Sequence, residues 1–339
     1  MAMLIKELCN LHGVSGNETE VRNFIKEQIT PFADEVTVDT MGNLIALKKG
    51  DSSKKVMLSA HTDEVGFIIS GINDKGFLEF KTVGGIDTRV IISKKVLVGT
   101  KKIPGVIGMK AIHLQKKSER ETVPEVSSLY IDIGAKDKDE AQEYVKIGDY
   151  ATFDTSFEDL SCDTFKAKAI DDRAGCAILI ELMKNPVKYD TYFCFTVQEE
   201  VGLRGARVVA HRVMPDVALV IESTTASDVF GCEEHQFVTD VGGGAVVTFM
   251  DRTTIVDKNL RKWLYDTANA EGIPVQYKRA TTGGNDAGRI HLSGSGVKTA
   301  SLSLATRYLH SPAGIASIKD ISAVKDLAQL FLDRIDEVI

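Results

Sequence analysis

Four short runs in this chain are apolar at almost every position: LIAL at 44–47, VMLS at 56–59, YFCFTV at 192–197 and VALVI at 217–221. A strand with one wet face alternates apolar and polar residues, so unbroken runs imply strands buried on both faces. Such strands need helices on either side, and helical periodicity lies between them. Leu4, Leu8 and Leu11 share a face of an opening helix that Gly13 stops. Val21, Phe24, Ile25 and Ile29 form the apolar face of a second, with Ser15 or Asn17 as its cap and Pro31 at its end. Further helices are predicted at 174–183, 258–270 and 321–335. From 66 to 162 the texture changes to short segments such as GFIISGI, KKVLVGT and SSLYIDIGA, broken by Gly, Asp and Lys, with one helical stretch near 138–145. That is the language of strands and turns. The expectation is an α/β domain made of 1–65 and 163–339, with a β-rich domain, 66–162, inserted at a loop.

Composition narrows the function. The chain has 339 residues, long enough for a sizeable core without staples. With 41 basic and 48 acidic residues its formal charge is −7, which argues against a nucleic-acid partner. No apolar run approaches the ~18 residues of a membrane span, and the N-terminus lacks the pattern of a signal peptide. Cys9, Cys162, Cys176, Cys194 and Cys232 are odd in number, with no Cys-x-x-Cys pair. They read as reduced thiols, which places the protein in the cytoplasm.

The chemistry gathers where apolar runs end. In open α/β folds ligands sit at the carboxyl ends of the parallel strands. His61 and Asp63 follow the run at 56–59 in SAHTDEVGF, and His-x-Asp in extended chain turns both side chains to one side. The imidazole suits a metal and the carboxylate suits the imidazole. Asp171 and Asp172 stand before a helix in KAIDDRAG, where helix capping is the plain reading. Glu199 and Glu200 close the run at 192–197 in FTVQEEVGLRG. Adjacent side chains on a strand point opposite ways, so one acid can ligate a metal while the other serves as a base. Glu222 in ALVIESTT and His310 in ATRYLHSPAG complete the set, though either alone reads as an ordinary surface acid or a structural His. Together they form an oxygen- and nitrogen-rich inventory that suits zinc, cobalt or manganese. Two metals bridged by one carboxylate, with one spare acid as base, would use it. Asp172 is read as a cap or supporting residue, and His12, His113, His211, His235 and His291 show no ligand context; Trp263 and Leu264 read as helix packing.

GVSGNE, HTDEVGF, IDDRAG, QEEVGLRGA, TTGGNDAG and RYLHSP together resemble the co-catalytic metallo-aminopeptidases that include tetrahedral, deblocking and glutamyl aminopeptidases, some relatives of which carry an endoglucanase label. The resemblance runs essentially the full length. It implies a zinc-peptidase-like mixed sheet flanked by helices and a barrel-like inserted dimerisation domain. It implies two divalent metals per subunit, zinc or cobalt, with manganese also compatible. His61 and Glu222 would hold one metal, Glu200 and His310 the other, and Asp171 would bridge them. Asp63 would orient His61, and Glu199 would be the general base. Glu222 stands where many relatives carry Asp, an arm one methylene shorter. Gly283, Gly284 and Asn285, followed by Asp286, match the substrate-side loop, where Thr is commoner than Asn. The implied activity is removal of N-terminal residues from short peptides by a homo-oligomer, a dimer or a dodecamer built from dimers. A metal-dependent deacylase or carboxypeptidase of related architecture is the nearest alternative. A glycosidase leaves the two His unexplained, and an inactive assembly protein leaves the filled catalytic positions unexplained.

Overall fold

The computed structural model describes residues 1–338. The apolar runs become strands of one mixed sheet. Its centre is parallel, in the order Tyr189–Thr196, Ser52–His61, Val217–Ala226, Lys298–Arg307. Antiparallel strands extend it through Leu44–Lys48 and Glu35–Val38 at one side and Gly314–Ser317, Thr164–Ala167 and Glu158–Asp159 at the other. The period-two alternation explains the unbroken apolar runs. Val56, Leu58, Ala60, Val217, Leu219 and Ile221 face a core shared with the helices Ala2–Asn10, Thr19–Ile29, Ile170–Leu182, Lys258–Ala270 and Ile318–Asp333. Met57, Ala218 and Val220 face the opposite side, where Ala206, Val209 and Ala210 of the helix Arg204–Val213 cover them.

Between the strands Ser52–His61 and Thr164–Ala167, six antiparallel strands close a barrel in the order Gly66–Ile72, Leu78–Val83, Leu129–Asp132, Ile103–Met109, Lys95–Val98, Tyr150–Phe153. Phe67 fills its interior, edge-on to Phe80 at 5.1 Å and to Phe153 at 5.2 Å between ring centroids. Closure leaves no strand edge unpaired. Among the described residues no helix is long and apolar enough to cross a membrane.

Several expectations shift. The central strands run longer than their apolar runs, because Ser223, Thr224 and the flanking lysines also pair. The strand Lys298–Arg307, which no unbroken apolar run announces, is buried nearly throughout. Ser301, Ser303 and Thr306 dilute its apolar signal without exposing it. The helix Arg204–Val213 was not anticipated either, and the inserted segment holds a second short helix, Lys117–Glu121, beside Lys138–Tyr144. Glu18, rather than Ser15 or Asn17, precedes the second helix.

A buried charge cluster ties the first helix to the sheet. Lys168 Nζ lies 2.8 Å from both oxygens of Glu64. Arg173, fully buried, donates to the carbonyls of Thr62 and Leu8 at 2.9 and 2.8 Å and reaches Glu64 at 3.4 Å. Glu64 is the one anion answering two buried cations, and removing one partner of a buried pair costs about 3–5 kcal/mol. Glu64→Gln is therefore expected to lower unfolding stability by about that much. Denaturant titration of the two proteins checks it, and a difference within the scatter of a surface mutant would count against the cluster's role.

Candidate metal centre and substrate cleft

The site forms at the carboxyl edge of the parallel strands. His61 is the last residue of its strand, and Asp63 lies just beyond it. Glu199 and Glu200 do not stand on a strand, as the sequence suggested. Their strand ends at Thr196, and they occupy the following turn after Gln198, whose φ is 56°. Their divergence comes from that turn and not from strand alternation. Glu222 lies inside its strand rather than at its end. Asp171 opens the helix Ile170–Leu182 with non-helical dihedrals, and His310 sits in a turn after Arg307 at φ 55°. Left-handed backbone at non-glycine residues beside the site is the kind of local strain that the surrounding packing must hold in place.

Asp171 lies between the two imidazoles. Its Oδ1 is 3.1 Å from His61 Nε2 and its Oδ2 is 3.3 Å from His310 Nε2. On one side Glu222 Oε1 lies 3.3 Å from His61 Nε2, and on the other Glu200 Oε2 lies 3.2 Å from His310 Nε2. The longer arm of Glu222 therefore reaches the imidazole. Each His faces the cluster with Nε2. His61 Nδ1 lies 3.1 Å from the carbonyl of Asp63, and His310 Nδ1 lies 3.0 Å from the carbonyl of Gly85. A proton on each Nδ1, donated to these carbonyls, leaves each Nε2 lone pair free for a cation. Gly85 follows the barrel strand Leu78–Val83, so the barrel aims one imidazole and the sheet the other.

Asp63 is completely buried. Its oxygens accept from Ser15 Oγ at 2.6 Å and from the backbone N–H groups of Glu199 and Glu200 at 3.0 and 3.1 Å. Oδ1 also lies 3.4 Å from His61 Nδ1. Burial alone would raise its pKa, but these partners hold it below the usual carboxylate value. Asp172 accepts from the N–H of Gly175 at 3.0 Å and of His61 at 3.3 Å, which fits the capping reading. Its carboxylate also falls in a group with His61 and Glu222 close enough to share an ion, as do His61, Asp171 and Glu200. His113 and His235 lie on exposed 3-10 turns, and His291 Nδ1 lies 2.8 Å from the carbonyl of Ala287.

The electrostatics ask for positive charge. Burial pushes Glu200 and Glu222 up to about 8 each, with Asp171 adding to both. Glu199 is also pushed well up, by burial and then by Glu222, Glu200 and Asp286. Burial opposes protonation of His310, but Asp171 and Glu200 together carry it up to about 9. Asp171 is the exception, lowered despite burial because both imidazoles bond to it.

These acids line a cleft of about 650 Å³. Gly283, Gly284 and Asn285 form part of another wall. Gly283 has φ 74°, and a Cβ on Gly284 would lie 2.5 Å from Thr253 Cγ2, so both positions require glycine. Asn285 is turned inward and accepts from Ser301 Oγ at 3.1 Å. Asp286 accepts from Thr196 Oγ1 at 2.6 Å. The supports Ser15, Glu64 and Thr196 give no signal in the sequence, since their partners lie 48, 104 and 90 residues away.

The chain is similar to known proteins along nearly its full length. A family profile described as M42 glutamyl aminopeptidase matches residues 42–327. A putative aminopeptidase of Acetivibrio thermocellus is 42% identical over 329 residues, covering 96% of this chain and 97% of the relative. A TET aminopeptidase from a marine sediment Thaumarchaeota archaeon superposes with a TM-score of 0.95 at 37% identity, covering 98% and 96%. The Pyrococcus horikoshii TET1 peptidase, described as assembling into a tetrahedron or a large octahedral shell, superposes with a TM-score of 0.88 at 33% identity, covering 98% of both chains.

The pKa directions carry a prediction for protein stripped of metal. Glu200 and Glu222 keep protons to about pH 8 that an unfolded chain releases near 4.5. His310 keeps one to about 9 instead of 6.5. The native state thus binds more protons than the unfolded state, and stability falls as pH rises through this window. Chelator-treated protein is expected to melt at a lower temperature at pH 8.5 than at pH 5.5, and added zinc or cobalt to restore the loss. A melting temperature that rises between those pH values in the chelated protein would contradict it.

Proposed function

From the premise that the chain belongs to the M42 glutamyl aminopeptidase family and is a peptide hydrolase, we propose that it is a dinuclear metal-dependent aminopeptidase. The observation that carries this reading is Asp171, whose two oxygens each face a different imidazole. The donor set fits divalent ions: two Nε2 atoms that face the carboxylates, and acids that burial keeps from ionising unless a cation is present. His61 and Glu222 would hold one ion and His310 and Glu200 the other, and Asp171, which faces both imidazoles, would be shared between them. Zinc or cobalt suits these ligands, and manganese is compatible. Ions held there would supply Lewis-acid polarisation of a carbonyl and a more acidic water.

This chain's own residues do the rest. Asp63 fixes the tautomer and orientation of His61, and it grips the backbone of Glu199 and Glu200 so that both acids face the cleft. Among the described residues Glu199 is the carboxylate lining the cleft that forms no ion pair with an imidazole, and it serves as general base. It takes a proton from the attacking water and delivers it to the leaving amine. Burial first, and then Glu222, Glu200 and Asp286, raise its proton affinity, and cations held beside it would counter that rise. The free amine of the substrate is held at this acidic end, which limits cleavage to the first residue. The loop Gly283, Gly284, Asn285 flanks the substrate.

The segment 66–162 is a separate, inserted dimerisation domain in this reading. Its exposed Ile112, Leu114 and Val123 supply the apolar surface that a second copy would cover. Light scattering is expected to give a mass that is a multiple of two 37.0 kDa chains; a monomer would refute the assembly.

The decisive experiment pairs metal analysis with turnover of free-amine aminoacyl-anilides, with N-acetylated anilides alongside. Two metals per chain are expected, with cleavage of free-amine substrates only, abolished by chelator. Glu199→Gln should retain both metals and lose about 10²–10⁴-fold in kcat. Normal turnover at full metal content would remove Glu199 from its role, and cleavage of acetylated substrates would point instead to a deacylase.

A further inference from the structure

The cleft wall is polar almost throughout. Acids, glycines and hydroxyls make up most of it, together with two cations, Lys278 and Arg289. Among the described residues its only wholly hydrocarbon side chains, apart from glycines, are those of Leu203 and Leu309. Leu203 closes the turn that carries Glu199 and Glu200. Its backbone N–H donates to the carbonyl of Glu199 at 2.8 Å, and the N–H of Gly202 donates to the same oxygen at 2.9 Å. The turn holds Leu203 at φ 59° and ψ 38°. That left-handed conformation is unfavourable for leucine, and glycine or asparagine would take it more readily.

Helical spacing alone would add Leu203 to the buried stripe of Ala206, Val209, Ala210 and Val213 on the following helix. Its backbone keeps it out of that helix instead. Among the described residues it belongs to none of the apolar cores, although it is only 9% exposed. Core packing therefore does not account for a leucine here, and local strain of this kind collects where a site uses it. Its place in the turn says which part of a substrate it meets. Glu199, as general base, passes a proton to the leaving amine, so that nitrogen comes within hydrogen-bond reach of the Glu199 carboxylate. The leaving amine is the backbone nitrogen of the substrate's second residue, and that residue's side chain begins two bonds away. We propose that Leu203 is a specificity-determining residue for the second residue of the substrate, favouring peptides with an aliphatic side chain there. This rests on the aminopeptidase reading. Contact removes apolar surface of both partners from water. A polar side chain in the same place loses water and finds neither donor nor acceptor on Leu203.

The test uses metal-loaded protein and two dipeptide amides of nearly equal size, Ala-Leu-amide and Ala-Asn-amide. The first is expected to have kcat/KM higher by about tenfold or more, the scale on which a hydrophobic pocket discriminates. Leu203→Asn suits the left-handed backbone and should bring that ratio close to one, whereas Leu203→Met should keep most of it. Leu-Ala-amide against Asn-Ala-amide varies the first residue instead, and that ratio should not follow the variant. A wild-type ratio near one for the first pair overturns the proposal, whether or not the variants fold. So does a ratio unchanged in folded Leu203→Asn, or a change confined to the second pair. Should Leu203→Asn fail to fold, a crystal structure of the wild-type protein with the phosphinic analogue of Ala-Leu-amide decides. Its second side chain packed on Leu203 supports the proposal, and placement elsewhere overturns it. Cleavage without selectivity removes this proposal alone. Failure to cleave any of the four peptides removes the aminopeptidase reading, and this proposal with it.

Discussion

The carboxylate of Asp63 is the point on which the site depends. It receives Ser15 from the first loop, the backbone of Glu199 and Glu200 from a turn across the sheet, and the imidazole edge of His61 beside it. A fully buried anion is costly without such partners. Here the partners belong to three segments distant in sequence, so satisfying one charge brings all three together. The position of Glu199 relative to His61 is thereby set by a group that does not itself line the cleft.

A second layer of support lies beneath. Glu64, the next residue, turns the other way into Lys168 and Arg173, and Arg173 in turn holds the carbonyls of Leu8 and Thr62. Two consecutive acids thus do opposite work, one organising the cleft and one anchoring the first helix. The barrel contributes through the Gly85 carbonyl, which turns His310 so that Nε2 faces Asp171. Held rotamers of this kind are what a metal centre needs if its ligands are to be placed before an ion arrives. The same economy explains the left-handed backbone at Gln198 and His310: the surrounding bonds fix conformations that the residues alone would avoid.

The cleft has opposite ends. Its acidic end holds the His310 imidazole and four carboxylates, and its other wall carries Lys278 against the glycine loop.

Much was legible in the residues. Unbroken apolar runs required a sheet covered on both faces, the broken texture of 66–162 marked out a different β-rich region, and the polar residues after each run marked where a ligand would sit. His61, Asp171, Glu200, Glu222 and His310 do meet, because the parallel strands carry His61, Glu222 and the turns of Glu200 and His310 to one edge and the helix Ile170–Leu182 opens there with Asp171. The strand Lys298–Arg307 was hidden because buried Ser and Thr look polar in a sequence and pack as small core residues in a sheet. The different directions of Glu199 and Glu200 came from a turn and hydrogen bonds to Asp63, which no local pattern encodes. The sequence by itself determined the kinds of groups at the site and the edge of the sheet on which they lie. Only the tertiary structure decided which oxygen faces which imidazole, and which buried lysine is neutralised and which is left open to the cleft. Those outcomes depend on contacts between segments a hundred or more residues apart, and local periodicity carries no information at that range.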